Sequence, residues 1–368
     1  MPLFVSTTRF LPPSKITSLL SARFYNHYSH SINMVKVLVT GGTGFIAAHT
    51  IDSLLEHGHS VVFTARSDDK AKKIFDNHPE ASKDKLSHVI VRDIAQEGAF
   101  DQAVKSDPPF DAVLHTASPF HYSVTDVQKD LLDPAIIGTT TLLKSIHKSA
   151  PSVKRVVITS SFASIINPEN HAKVYSEQVW NPITNQEALQ NPANGYRASK
   201  TFAERAAWDF VEKEKPSFDV ATICPPLVLG PVIHSLQSLD SLNTSNERVR
   251  NLIQGKAKDT GLPPSGVFIW VDVRDLALAH VKAMEIPEAG GKRFLLTAGH
   301  YDNGEIASVI KSKFPDLADR LPKDISGDRP KDVYGFDNSR SKELLGIKYR
   351  SLEESVVDTV NSLLAFNP

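Results

Sequence analysis

Seven short runs of aliphatic and β-branched residues recur along this chain: Val35–Thr40, Ser60–Thr64, His88–Arg92, Ala112–His115, Arg155–Ser160, Val220–Cys224 and Arg293–Thr297. Several are nearly continuous in apolar residues instead of alternating, which suits strands buried on both faces of a parallel sheet. Between them lie stretches with helical spacing. Phe45, Ala48, Ile51 and Leu55 share one stripe, Ala135, Leu142, Leu143 and Ile146 suggest a second, and Phe202, Ala206, Phe210 and Val211 a third. Strand and helix in alternation specify an α/β fold with a doubly wound parallel sheet.

The regularity weakens after Cys224, where Pro225-Pro226 and Gly230-Pro231 punctuate the chain and a polar segment runs from His234 to about Asn251. A strand–helix piece returns with Phe268–Val271 and Asp272–Met284, and further helical spacing follows, as in Ile306, Ile310 and Phe314. We therefore expect residues 34–224 and 266–299 to form a Rossmann-type dinucleotide-binding domain. Residues 225–265 and 300–368 are expected to form a smaller substrate-binding lobe over the C-terminal edge of the sheet. A chain of 368 residues is long enough for both.

The first 33 residues differ from the rest. They hold Arg9, Lys15 and Arg23, many Ser and Thr, and no acidic residue; the first carboxylate of the chain is Asp52. Two readings stand side by side: a targeting segment of the mitochondrial type, or an extension ahead of a true start at Met34. The first implies a mitochondrial location, the second a cytoplasmic one. Lys and Arg total 41 against 42 Asp and Glu, which lacks the basic footprint of a nucleic-acid binder. No apolar stretch reaches the roughly 18 residues of a membrane span. The single cysteine, Cys224, excludes an internal disulfide, and its apolar strand context reads as a packed small hydrophobe.

The strongest local signal is Val37-Leu-Val-Thr-Gly41-Gly42-Thr43-Gly44-Phe45-Ile46-Ala47. A strand ends at Thr40 and an amphipathic helix starts near Gly44. Gly41 permits the tight turn, Gly44 lets the backbone approach a pyrophosphate, and Ala47 lets the helix pack on the strand. The helix N-terminus would offer free N–H groups to the phosphates. The alternative is a purely structural turn. The end of the second strand bears on nucleotide choice, because a carboxylate there would grip the ribose 2′-hydroxyl of NAD. Here Thr64 leads into Ala65-Arg66-Ser67, with no acid before Asp68. Arg66 can fork onto a 2′-phosphate and Lys70 can add charge, which favours NADPH over NADH; the alternative is a solvated surface charge. Asp93 and Ile94, after the third strand, could meet the adenine. Thr116 and Ala117, after the fourth, could line the nicotinamide half of the site.

Tyr196-Arg-Ala-Ser-Lys200 places a phenol and an ammonium at i and i+4 on one helix face. Reducing a carbonyl needs a hydride on carbon and a proton on oxygen. A free phenol has a pKa of about 10, and a neighbouring cation favours the phenolate and brings that value down. Val156-Val-Ile-Thr-Ser160-Ser161 ends a strand with two hydroxyls, and Ser161 can hold a carbonyl oxygen beside Tyr196. Open α/β sheets bind ligands at that edge. A Ser-His-Asp hydrolase is disfavoured, since no G-x-S-x-G elbow is present. The fourteen histidines form no H-E-x-x-H-type cluster, so no metal is expected. In Val271-Asp-Val-Arg-Asp275, Asp272 is expected to cap the following helix, with Arg274 and Asp275 in structural ion pairs.

In these motifs and their order the chain resembles the extended short-chain dehydrogenases/reductases, most of all the fungal NADPH-dependent aldehyde/ketone reductases, with plant dihydroflavonol 4-reductases as more distant relatives. Matching segments include Leu114–Phe120, Asp130–Ala135, Lys200–Trp208, Leu242–Ser245 and Val271–Asp275. The resemblance implies reduction of a small-molecule carbonyl, catalytic roles for Ser161, Tyr196 and Lys200, and a monomer or homodimer. It also implies that Gly41 to Ile46, Arg66, Lys70, Asp93 and Ile94 hold NADPH, with Val228 and Ser245 at its far side and Phe120 and Phe162 beside the substrate. Relatives often carry Asn-Pro-Val-Tyr where this chain has Cys224-Pro-Pro-Leu227, which implies a missing aromatic wall. Two other readings of the same fold are an NAD-retaining sugar epimerase or dehydratase, and a non-catalytic dinucleotide sensor. Arg66 argues against the first, and the complete Ser/Tyr/Lys set against the second.

Overall fold

The computed structural model describes residues 34–366 apart from 119–123, 235 and 237. The 33-residue leading segment and Phe120 lie outside the described residues. The chain runs through β1 (Lys36–Thr40), α1 (Phe45–Glu56), β2 (Ser60–Ala65), α2 (Asp68–Asn77), β3 (Leu86–Ile90) and β4 (Ala112–His115). It continues with α3 (Asp133–Ser149), β5 (Arg155–Thr159), the short β6 (Val174–Tyr175) and α4 (Asn185–Ala188), the long α5 (Pro192–Glu214) and β7 (Asp219–Cys224). Next come β8 (Leu227–Leu229), α6 (Thr244–Ile253), β9 (Ile269–Asp272), α7 (Val273–Glu285), β10 (Lys292–Leu295) and β11 (Gly299–His300). α8 (Asn303–Lys313), β12 (Gly335–Phe336), α9 (Ser339–Glu343) and α10 (Leu352–Leu364) follow.

The seven apolar runs all become strands of one parallel sheet, in the order β10-β7-β5-β4-β1-β2-β3. The order reverses between β1 and β4, so a crevice opens beyond their C-terminal ends. Helices cover both faces. α1 and α7 pack together on one side over Val37, Val39, Val61, Phe63 and Leu114. α3 and α5 pack on the other over Leu38, Val113, Val156 and Val220. Because both faces are covered, the central strands are mostly apolar, and charged residues such as Arg155 and Arg293 sit near strand ends.

Helix ends follow from local chemistry. Asn191 caps α5, its side chain accepting from the Asn194 N–H at 2.9 Å, and Pro192 occupies the first turn. Asp272 caps α7 through the Arg274 N–H at 2.8 Å. Arg274 also pairs with Asp272 and Asp358, and Asp275 pairs with Arg350, as the sequence led us to expect.

Two features depart from the sequence reading. First, β9, placed above with the dinucleotide-binding part, pairs with β8 and β11 in a separate three-stranded sheet. That sheet shares a core with α6, α8 and α10 through Leu229, Val249, Trp270, Ile306 and Val360. Segment 266–299 is thus divided, with α7 and β10 on the large sheet. Second, α6 forms within the stretch read as polar. Its apolar contacts, Val249, Leu252 and Ile253, cluster near its C-terminal end and give no stripe over the first two turns.

Candidate active site

The glycine turn is built by close approach. Gly41 adopts φ +71°, where a side chain is strained, and a Cβ there would lie 2.8 Å from the Ala117 Cα. The two strand ends at the switch point are tied together. Thr40 Oγ1 bonds His115 Nδ1 at 2.7 Å and accepts the Ala117 N–H at 3.2 Å, while the Thr116 hydroxyl donates to the Thr40 carbonyl at 2.6 Å. α1 then starts with no side-chain cap at Gly44 and no acidic residue in its first turn. Its leading N–H groups are therefore available to an anion in the crevice, as a dinucleotide pyrophosphate requires.

A groove of about 540 Å³ opens there. It is lined by Gly41, Gly44, Phe45 and Ile46 from the turn and α1, and by Thr116 and Ser118 after β4. Ser160 and Ser161 after β5, Tyr196 and Lys200 from α5, Val228 from β8 and Ser245 from α6 line it too, whereas Arg66, Lys70, Asp93, Ile94 and Ala117 do not. Pro225, Pro226 and Leu242–Thr244 add walls that the site reading had not assigned.

Within the groove the Ser161 hydroxyl hydrogen-bonds the Tyr196 phenol. Lys200 Nζ donates to Ser118 Oγ at 2.8 Å and lies 6.0 Å from the centre of the Tyr196 ring. The expectation that the cation would bring the phenol down meets a stronger effect. Burial raises the Tyr196 phenol above its ordinary value, against the bond from Ser161, and burial lowers Lys200 to about 8. At neutral pH the phenol is protonated and the lysine carries its charge. Behind them His115 is fully enclosed, and burial followed by the Lys200 charge lowers it to about 3, so it stays neutral.

Just beyond β2, Arg66 and Lys70 are exposed and form no ion pair among the described residues. Asp68, the first acid after β2 in the sequence, bonds His88 at 2.9 Å. Asp93 accepts from Gln96 Nε2 and the Ala95 N–H, both at 2.9 Å, and these bonds, helped by the Arg66 charge, hold it below the usual carboxylate range. Ile94 packs over Gly138 and faces a small cavity behind Lys200. Gly42 and Thr43 belong to the turn without lining the groove.

Phe162 does not face the groove. It is 2% exposed and packs edge-on to Tyr175, with ring centres 5.2 Å apart, and against Tyr334. The substrate contact expected of it is not what this packing offers. Leu227, at the position of the missing aromatic, packs into the smaller core, and Pro225-Pro226 form the wall instead. Cys224 is fully buried, and burial pushes its thiol up to about 12, so it is a packing residue.

One group of ligand-type side chains does gather, away from the groove. His57 Nδ1 and His59 Nε2 meet Glu285 Oε1 at 2.7 and 3.1 Å. His59 Nδ1 accepts the Val35 N–H at 3.3 Å, so its Nε2 carries the proton and donates to Glu285. Lys282 takes the other carboxylate oxygen at 2.9 Å. The arrangement is a carboxylate surrounded by proton donors.

The sequence model of the NAD dependent epimerase/dehydratase family matches residues 37–298. A ketoreductase of Aspergillus niger, azaE, is 50% identical over 330 residues, covering 89% of this chain and 97% of that protein. A putative NADPH-dependent methylglyoxal reductase of Candida albicans is 40% identical over 339 residues, covering 89% and 98%. The crystal structure of yeast methylglyoxal/isovaleraldehyde reductase complexed with NADPH superposes with a TM-score of 0.81 at 35% identity, covering 89% of this chain and 98% of that one. The described part of the chain carries no helix long and apolar enough to cross a membrane. On the length of these matches, this chain belongs to the NAD dependent epimerase/dehydratase family.

Proposed function

We propose that this protein reduces an aldehyde or ketone to the alcohol, using NADPH. One observation carries the reading: Ser161, Tyr196 and Lys200, from a strand end and a helix distant in sequence, share one groove with the glycine turn. The names of the relatives point the same way, since each is a ketone or methylglyoxal reductase.

The groove fits the cofactor. Gly41, Gly42, Thr43, Gly44, Phe45 and Ile46 would hold the pyrophosphate against the uncapped start of α1, and Arg66 and Lys70 would take the 2′-phosphate. Asp93 and Ile94 would border the adenine, and Thr116, Ala117, Val228 and Ser245 the nicotinamide half. When bound, NADPH supplies the hydride. The rest is done by the chain's own groups. Ser161 and Tyr196 present two hydroxyls to one carbonyl oxygen. Burial keeps the Tyr196 proton in place at neutral pH, so the phenol can deliver it to the developing alkoxide. Lys200 supplies positive charge and, freed from Ser118, can bond the cofactor ribose. We further propose that residues 225–265 and 300–368 form the lobe that covers the substrate, with Leu242–Ser245 reaching into the groove.

The test is NADPH oxidation against aldehydes, α-diketones and β-ketoesters, with NADH as control, in wild type and Tyr196→Phe. Losing the proton donor should lower kcat by about 10²–10⁴-fold. NADPH binding, followed by fluorescence, should change little. Near-normal turnover in the folded variant would remove Tyr196 from its role.

A further inference from the structure

Two charged residues that the reductase reading does not use lie directly behind the site. Glu204 is 2% exposed on α5, one helical turn beyond Lys200 and two beyond Tyr196, so the three share a face. Arg293, on the edge strand β10, is 8% exposed and forks onto it, with Nε to Oε1 at 2.7 Å and Nη2 to Oε2 at 3.2 Å. Arg293 is itself fixed: Nη1 donates to the Glu177 and Val179 carbonyls at 2.7 and 2.8 Å, and its guanidinium carbon lies 3.6 Å from the centre of the Trp180 ring.

The carboxylate faces the turn that carries Ser161. Its Oε2 accepts from the Ser160 and Ser164 hydroxyls, each at 2.6 Å, and its Oε1 from the Thr222 hydroxyl on β7 at 2.7 Å. Ser164 Oγ also sits 2.7 Å from the Ser161 carbonyl. The residue before Ser161 and the residue three after it are thus both tied to the helix that bears Tyr196 and Lys200. Cys224, 3.8 Å from both carboxylate oxygens, is the remaining titratable neighbour, and its thiol stays neutral. A buried ion pair is a poor source of net stability compared with apolar packing, so stability alone does not account for this arrangement.

We propose that Glu204, clamped by Arg293, is a positioning residue that fixes the Ser160–Ser164 turn against α5 and so sets Ser161 at hydrogen-bond distance from Tyr196. The proposal rests on the catalytic reading of Ser161 and Tyr196. Glu204 touches neither substrate nor cofactor; it acts through the turn.

The experiment compares Glu204→Gln, Ser160→Ala and Ser164→Ala, alone and combined with Ser161→Ala, in the full chain. Near-ultraviolet circular dichroism and melting curves establish folding, and NADPH fluorescence titration reports the cofactor site. Gln puts an NH₂ against Arg293, which can only donate, so the fork that holds Glu204 on the turn is broken, and small misplacements at a reacting centre cost about ten- to a hundredfold. The expected result is a fall in kcat of at least about tenfold for Glu204→Gln, with NADPH affinity held within about twofold. Ser160→Ala and Ser164→Ala should lose less, again in kcat. Combined with Ser161→Ala, each should add little, because the same contact has already been removed. Full additivity with Ser161→Ala would overturn the proposal, as would wild-type kcat in folded Ser160→Ala and Ser164→Ala. If Glu204→Gln does not fold, the two serine variants decide the matter. Failure of the underlying reading shows differently: Ser161→Ala itself would then retain wild-type turnover.

Discussion

If Arg66 takes the 2′-phosphate as proposed, replacing it with alanine should weaken NADPH and leave NADH nearly unchanged. β2 ends at Ala65, and the next side chain is an exposed guanidinium with no ion-pair partner among the described residues. The first acid after β2, Asp68, bonds His88, and no carboxylate occupies the position directly after the strand, where Arg66 stands instead. A hydrogen bond to a charged group contributes about 1.5–3 kcal/mol when well ordered. Arg66 is exposed, so about 1–2 kcal/mol is the reasonable share, which corresponds to roughly 5–30-fold in affinity. Arg66→Ala should therefore lower kcat/KM for NADPH by roughly that factor. NADH, which lacks the 2′-phosphate, should change by less than about twofold. Arg66→Lys keeps the charge without the fork and should fall in between. Initial rates with both nucleotides decide it, repeated at about 0.5 M salt, where screening should narrow the gap. Equal losses with NADPH and NADH would refute the argument, since Arg66 would then act on something common to both.

Three further outcomes follow from the electrostatics of the buried groups. Burial lowers Lys200 to about 8, so the rate of reduction should decline as pH rises through that region, where the ammonium is lost; a pH profile flat to pH 10 would contradict this. Burial alone would raise Glu285, but the bonds from His59, His57 and Lys282 hold it at about 2, below its value in an unfolded chain. Its contribution to stability is complete above about pH 4.5 and is lost as pH falls towards 2. Glu285→Gln should thus melt lower at pH 7, with the gap closing below about pH 4.5, and a gap that persists unchanged into acid would count against it. Cys224, with its thiol pushed up to about 12 by burial, should resist thiol reagents in the folded protein and react on unfolding, and rapid labelling of the native chain would show the packing to be wrong.

The sheet was readable because strands covered on both faces are mostly apolar and not alternating, and all seven such runs became strands of it. What stayed hidden was structure whose buried face is not apolar. The third helical stripe was read through Phe202, Ala206, Phe210 and Val211, yet α5 buries Ala198, Thr201, Ala203, Glu204 and Ala207 alongside Phe210. Polar residues on a buried helix face break the 3.6-residue pattern that hydrophobicity alone can reveal. β9 shows a related limit: the apolar residues Ile269, Trp270 and Val271 state that the strand is buried and not which sheet it pairs in.

The same logic divides the site. Tyr196 and Lys200 could be paired from sequence because a helix repeats, so spacing alone puts them on one face. Continuing that spacing once more reaches Glu204, and the serines that flank Ser161 are the partners it needs. The missing link was Arg293, 89 positions beyond Glu204, which no local pattern connects to it. Without a counter-charge, a carboxylate at that point of the helix reads as exposed, since burying one unpaired is prohibitive. The sheet order supplies the answer: β10 lies beside β7, which lies beside β5, so a residue near the end of the chain is brought next to the turn that carries Ser161. Local repetition therefore reveals Tyr196 and Lys200, the pair proposed to act on the substrate, whereas the groups proposed to hold the site in place depend on non-local topology and become visible only when the strands are laid side by side.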